Sequence, residues 1–166
     1  MNGMKTLHLL RHAKSDWDDP KLPDEKRPLN GRGKRDAKRL AQHLEEHPIE
    51  VDLVLCSPAL RAKKTLEAIQ PALGRTATKE EPGIYAAAPD QLLSLLTRLA
   101  KGHHSVLLVG HNPGFEGLAH MLLPAAEAPG AFPTCTLASL TFDIDKWDAI
   151  EPGRARLAGF LTPENF

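Results

Sequence analysis

Cysteine is nearly absent. Cys56 and Cys135 alone, in a chain of 166 residues, exclude a disulfide framework and a cysteine-based zinc site. Aromatic residues are also scarce, at five Phe, two Trp and one Tyr, which is too few for a stacking platform on single-stranded nucleic acid. Neither sign of charge is in excess: 21 Lys and Arg balance 21 Asp and Glu, so no basic footprint for nucleic acid or a membrane surface emerges. Apolar runs such as Leu92–Leu96 and Val106–Val109 fall far short of the roughly 20 residues that span a bilayer. The stretch Met1–Lys5 has no apolar core of a secretion signal. The eight histidines include no His-Glu-x-x-His, and no Cys-x-x-Cys occurs, so neither metal nor cofactor is expected. What remains is the expectation of a soluble cytoplasmic protein without nucleic-acid or membrane partners, its oligomeric state open. At this length the expectation is one domain over residues 1–166.

What is present is an alternation of short apolar strands and amphipathic helices. Lys5–Leu10 reads as a buried strand that ends in Arg11 and His12. Ser15–Asn30, rich in Pro and charge, reads as a surface loop anchored by Trp17, Leu22 and Leu29. Asn30 is placed as an N-cap, followed by Ala37, Leu40, Ala41 and Leu44 at helical spacing up to His47-Pro48. Val51–Cys56 is a second strand, and Ser57-Pro58 predicts a helix start, with a capping hydroxyl and then proline at the first helical position. That helix closes at Pro71 and Gly74. A weak extended stretch over Thr76–Tyr85 precedes a helix from Pro89-Asp90 through Leu99. Ser105–Gly110 is the third strong strand, and His111-Asn112-Pro113 opens a fourth helix. Beyond the Pro124–Pro133 loop, Thr134–Phe142, Lys146–Ile150 and Arg154–Gly159 read as strands. The pattern predicts an α/β three-layer sandwich, a mainly parallel central sheet flanked by helices.

Ligands bind such sheets beyond the carboxyl ends of the strands. Three strands here end in chemically capable residues: Arg11-His12, Ser57 with Arg61 one turn on, and His111-Asn112. Taken singly, each is ordinary for a structural or solvated side chain. Together, two Arg and two His make a compact cationic pocket. Guanidinium forks match phosphate oxygens, and unpaired amides of the helix opening after His111 are expected to face the same anion. An imidazole with one nitrogen unprotonated and the other anchored is a nucleophile toward phosphorus. It must be unprotonated to attack, so activity should fall on the acid side.

Leu9-Leu10-Arg11-His12-Ala13-Lys14-Ser15 resembles the Arg-His-Gly signature of the histidine phosphatase superfamily, also called phosphoglycerate-mutase-like. Three further blocks agree in order and spacing. Leu29-Asn30-Gly31-Arg32-Gly33-Lys34-Arg35-Asp36-Ala37 is similar to that family's Leu-Ser/Thr-x-x-Gly-x-x-Gln-Ala helix start. Ser57-Pro58-Ala59-Leu60-Arg61-Ala62-Lys63-Lys64-Thr65 is similar to its Ser-x-x-x-Arg-Ala-x-x-Thr block, and Val109-Gly110-His111-Asn112 to its late Gly-His. The resemblance implies a metal-independent phosphatase in which His12 is the nucleophile and forms a phosphohistidine intermediate. It also implies that Arg11, Arg61 and His111 complete the phosphate pocket. Ala13 and Lys14 depart from the pattern, standing where relatives carry Gly and often an acid. Ser15 and Asn112 are candidate substrate contacts.

The general acid is less plainly marked. Family members acting on phosphomonoesters place a Glu or Asp shortly before a Tyr or Gly. Glu80 and Glu81 precede Tyr85, Glu81 being the better spaced, and Asp16 and Asp18 are fallbacks. An alkoxide, whose conjugate acid is about as weak as water at ~15.7, needs a proton to leave. Imidazole, with a conjugate acid near pKa ~6.5, does not. The chain also lacks the length for insertions that roof the site. It is therefore similar to the short SixA-type phosphohistidine phosphatases, whose substrate is a phosphotransfer protein. The competing expectations are a small-molecule phosphomonoesterase using Glu81 as acid and a non-catalytic phosphate-binding protein.

Overall fold

The computed structural model describes residues 3–166. Met1 and Asn2, part of the stretch read for a secretion signal, lie outside the described residues. The elements in chain order are β1 (Lys5–Arg11), α1 (Gly31–Glu46), β2 (Leu53–Cys56), α2 (Leu60–Leu73), β3 (Ala77–Glu80), α3 (Pro89–Thr97), β4 (Ser105–Gly110), α4 (Gly114–Leu122), β5 (Leu137–Phe142) and β6 (Arg156–Leu161). One six-stranded sheet has the order β3-β2-β4-β1-β5-β6. The pairs β2·β3, β2·β4 and β1·β4 are parallel; β5 and β6 are added antiparallel at the β1 edge.

Side chains alternate across a strand with period two, and here both faces of the central strands are apolar. Leu7, Leu9, Leu53, Leu55, Val106 and Leu108 meet Leu92 and Leu96 of α3 and Phe115, Leu118 and Leu122 of α4. The intervening Leu10, Val54, Cys56, Leu107 and Val109 meet Leu40 and Leu44 of α1 and Leu66, Ile69 and Leu73 of α2. Three layers follow: α1 and α2, the sheet, then α3 and α4. Each fully buried aliphatic side chain contributes about 1.5–3 kcal/mol. Among the described residues no helix is long and apolar enough to cross a membrane.

Asn30 caps α1, its Oδ1 accepting the Gly33 amide at 2.8 Å. The second helix departs from expectation. It starts at Leu60 with Ala59 as N-cap and no side-chain cap, which leaves Ser57 and Pro58 outside it. Pro71 lies within its last turn, and Gly74, at φ +72°, ends it. Helix α3 stops at Thr97, two residues short of Leu99. Lys146–Ile150 is not a strand: Trp147–Ala149 forms a 3-10 turn, held where Trp147 Nε1 donates to the His103 carbonyl at 2.7 Å. The strand expected from Thr134 begins at Leu137, because Cys135 sits at φ +63° and turns its amide onto the Arg11 and His12 carbonyls.

Candidate active site

The sheet order makes β2, β4 and β1 consecutive neighbours, so their carboxyl ends lie side by side. Adjacent strands are about 4.8 Å apart, close enough for residues just beyond three strand ends to touch. Arg11, His12, Arg61 and His111 line one cavity of about 710 Å³ there. His12 is on its floor, 7% exposed, with Nδ1 against the Ala13 carbonyl at 2.7 Å. Nδ1 therefore carries the proton, and Nε2 keeps a lone pair. That lone pair accepts from Arg61 Nε at 3.4 Å. The His12 and His111 rings are 5.2 Å apart. Burial, opposed by the Ala13 bond and reinforced by His111, Arg61 and Arg11, pushes the His12 imidazole down to about 3. His111 is likewise lowered to about 4, first by burial and then by Arg61.

Each of these side chains is set by its surroundings. Ser57 Oγ accepts the Ala59 amide at 3.2 Å and meets His111 Nε2 at 2.7 Å, so the residue expected to cap a helix instead orients a histidine. Thr65 Oγ1 donates to the Arg61 carbonyl and accepts the Ala13 amide at 3.0 Å, tying the segment after His12 to α2. Arg11 Nη1 donates to the Phe132 carbonyl at 2.6 Å, and its Nε is buried without a protein partner.

Asp24, within the stretch expected to be a surface loop, is the only carboxylate among the described residues lining the cavity. Its carbonyl accepts Arg61 Nη1 at 2.8 Å and its Oδ2 accepts Arg61 Nη2 at 3.0 Å. The guanidinium is thus gripped along one edge, with Nε aimed at His12 and Nη2 within 3.5 Å of His111 Nδ1. Tyr85 Oη donates to the same Oδ2, and Arg27 Nη1 donates to Oδ1 at 2.9 Å. These bonds, Tyr85 first, hold the Asp24 carboxyl far below the usual carboxylate range. No sequence motif marks Asp24. Its role depends on the loop folding back over α2.

The remaining candidates divide. Glu81 does not line this cavity. It lies past the end of the edge strand β3, where its carboxylate accepts the Gly83 amide and caps a 3-10 turn. Glu80 pairs with Lys63 at 2.6 Å. Asp16 Oδ1 accepts the Asp18 amide, and neither residue lines the cavity. Ser15 does line it, but its Oγ is taken by Arg27 Nη2. Asn112 lines it too, with its amide committed to structure: Oδ1 accepts the Glu116 amide at 3.2 Å, and Nδ2 donates to the Phe132 carbonyl at 3.1 Å. The free helix amides expected after His111 are largely occupied, since Phe115 N–H is on the His111 carbonyl and Glu116 N–H on Asn112. Trp17 is no buried anchor: it is 70% exposed at the cavity mouth.

The histidine phosphatase superfamily (branch 1) profile matches residues 7–85. The chain is 32% identical over 140 residues to the phosphohistidine phosphatase SixA of Escherichia coli, covering 82% of this chain and 85% of that protein. It is 35% identical over 162 residues to an uncharacterised protein of Mycobacterium tuberculosis, covering 93% of this chain and 99% of that one. A solved structure of the protein histidine phosphatase SixA complexed with tungstate superposes with a TM-score of 0.80 at 28% identity, over 96% of this chain and 98% of that one. The chain belongs to the histidine phosphatase superfamily, in its SixA-type branch, and is a phosphatase.

Proposed function

We propose that this protein hydrolyses phosphohistidine on a phosphotransfer protein through a phospho-His12 intermediate. The observation that carries this reading is the absence of a usable acid: Asp24, the cavity's one carboxylate among the described residues, is kept ionised by Tyr85, Arg27 and Arg61. A carboxylate so held has no proton for an alkoxide leaving group near neutral pH. Phosphohistidine asks for none from the protein. Its ring takes a solvent proton on the nitrogen away from phosphorus and departs as neutral imidazole.

In the first step the Nε2 lone pair of His12 forms the new P–N bond, while the substrate P–N bond breaks and its electron pair stays on the departing ring. Arg61 and Arg11 set fixed charge against the phosphoryl oxygens, where it is most effective in a loose transition state, with the neutral His111 ring beside them. In the second step the oxygen of water bonds to phosphorus, Nε2 recovers its lone pair, and the two water protons leave with the phosphate as dihydrogen phosphate, which loses one to solvent near neutral pH. The relative solved with tungstate, an oxyanion similar in shape to phosphate, supports an anion site in this fold.

The test is a brief incubation with labelled phosphohistidine peptide, quenched in alkali to preserve P–N bonds. Label trapped on wild type and absent from His12→Ala, with phosphate released, is the expected result. Turnover undiminished in His12→Ala would overturn the nucleophile. Glu81→Gln is expected to leave phosphohistidine turnover intact; a matching loss on phosphohistidine and on a phosphomonoester would restore Glu81 as acid.

A further inference from the structure

Two large apolar side chains are exposed among the described residues, Met4 and Trp17. Met4 precedes β1, at the end of the strand away from the site, whereas Trp17 lines the cavity. Its position is set by a side chain that cannot easily move. The Arg27 guanidinium carbon lies 3.1 Å from the indole centroid, covering one face of the ring. Arg27 is itself buried, donating Nε to the Asp16 carbonyl at 3.1 Å, Nη1 to Asp24 and Nη2 to Ser15. Asp24 in turn holds Arg61. The ring is therefore indexed, through two side chains, to the guanidinium that faces His12.

Exposing an indole to water is unfavourable, and the pinned ring presents its outer portion at the entrance while His12 lies 7% exposed at the floor. A phosphoryl group at His12 fills only the inner part of a cavity of about 710 Å³. The rest must take what carries the phosphoryl group. Small side chains, Ala86, Ala87 and Ala88, line that same cavity and leave room for a polypeptide. A tryptophan face accepts apolar side chains, rings and cations alike, which suits a peptide more than one small metabolite.

We propose that Trp17 is a specificity-determining residue, taking the polypeptide that flanks the phosphohistidine so that a phosphohistidine within a chain is preferred over the free phosphoamino acid. This rests on the phosphohistidine reading above. The test compares kcat/KM for free phosphohistidine with that for a blocked peptide carrying phosphohistidine between apolar residues. Wild type is expected to favour the peptide, Trp17→Ala to lower that preference about tenfold, and Trp17→Phe to restore most of it. A ratio unchanged in Trp17→Ala, whether or not both rates fall, would make Trp17 merely a cover for Arg27 and overturn the proposal. Wild type inactive on both P–N substrates would instead overturn the phosphohistidine reading itself.

A second measurement needs no Trp17 variant. The other tryptophan, Trp147, is 1% exposed, so acrylamide quenching of intrinsic fluorescence reports chiefly Trp17. In His12→Ala, the phosphohistidine peptide is expected to shield the fluorescence and inorganic phosphate to leave it quenchable. Equal quenching with both ligands counts against the proposal.

Discussion

His12 donates Nδ1–H to the Ala13 carbonyl, and burial with nearby cations keeps its Nε2 bare. With the imidazole lowered to about 3, the proposed nucleophile stays unprotonated far below the ordinary histidine value of about 6.5. The acid loss of activity expected from the sequence is therefore displaced downward. In an NMR titration of the free enzyme, neither the His12 nor the His111 ring is expected to titrate between about pH 5 and 8. A His12 midpoint near the ordinary value would contradict the buried, cation-flanked site. Ser57 sets the other ring. Its oxygen accepts the Ala59 amide on one lone pair and His111 Nε2–H on the other, which leaves His111 Nδ1 to accept from Arg61 Nη2. Ser57→Ala is expected to lower kcat/KM by the equivalent of about 1–3 kcal/mol, the consequence of an unmade bond to a buried polar group. An unchanged rate with an unchanged His111 tautomer in NMR would remove Ser57 from that role.

At the scale of elements, the site depends on the start of α1 packing against the backbone that follows His12. A Cβ on Gly33 would stand 2.0 Å from the Lys14 carbonyl oxygen, which is itself held by the Asn30 amide. Because the obstacle is backbone, relief requires α1 or the His12 segment to shift. Gly33→Ala is expected to destabilise the protein by about 1–3 kcal/mol, the usual range for overpacking, and to lower kcat with it. Denaturant melts together with steady-state kinetics would check both. A variant of wild-type stability would mean that α1 moves freely, and that its cap does not help place the site. The Ser15–Asn30 loop belongs to this scale as well. Its charges are not simply solvated, for Asp24 and Arg27 make it a strap from Trp17 to Arg61.

For the whole molecule, three buried histidines link folding to pH. His8 is lowered to about 4 by burial, opposed by its bond to the Glu50 carbonyl, while its Nδ1 meets Ser139 Oγ at 2.7 Å. His12 and His111 are lowered similarly. All three bind protons more weakly folded than unfolded, so the unfolded state holds more protons between the folded values and about 6.5, and stability rises with pH across that window. Unfolding near pH 5 is expected to take up about three protons from solvent onto these rings. Thermal unfolding followed from neutrality to about pH 4 should show a falling midpoint. A midpoint flat over that range would mean that the histidines are not held neutral.

The strands and helices, the Asn30 cap and the grouping of Arg11, His12, Arg61 and His111 were legible in the sequence. Hydrophobic period and capping chemistry are local, and a parallel sheet puts its functional residues at strand ends. Glu81, Asn112 and Ser57 take partners that the sequence does not show, for a common reason. Spacing along the chain does not say which way a side chain turns once the backbone offers it a nearer partner, as the Gly83 amide does for Glu81 and the Glu116 amide for Asn112. Asp24, Arg27 and the outward placement of Trp17 belong to tertiary structure alone. They follow from a loop folding across α2 to meet Arg61 and Tyr85, and contacts between residues 37 and 61 positions apart leave no local pattern. The sequence by itself determined the grouping of Arg11, His12 and His111 with Arg61, because three are held at strand ends and the fourth lies in the first turn of the helix that follows a strand. Only the tertiary structure decided that Asp24, the one carboxylate lining the pocket among the described residues, is tied up as an ion, because that depends on which charges the fold brings together.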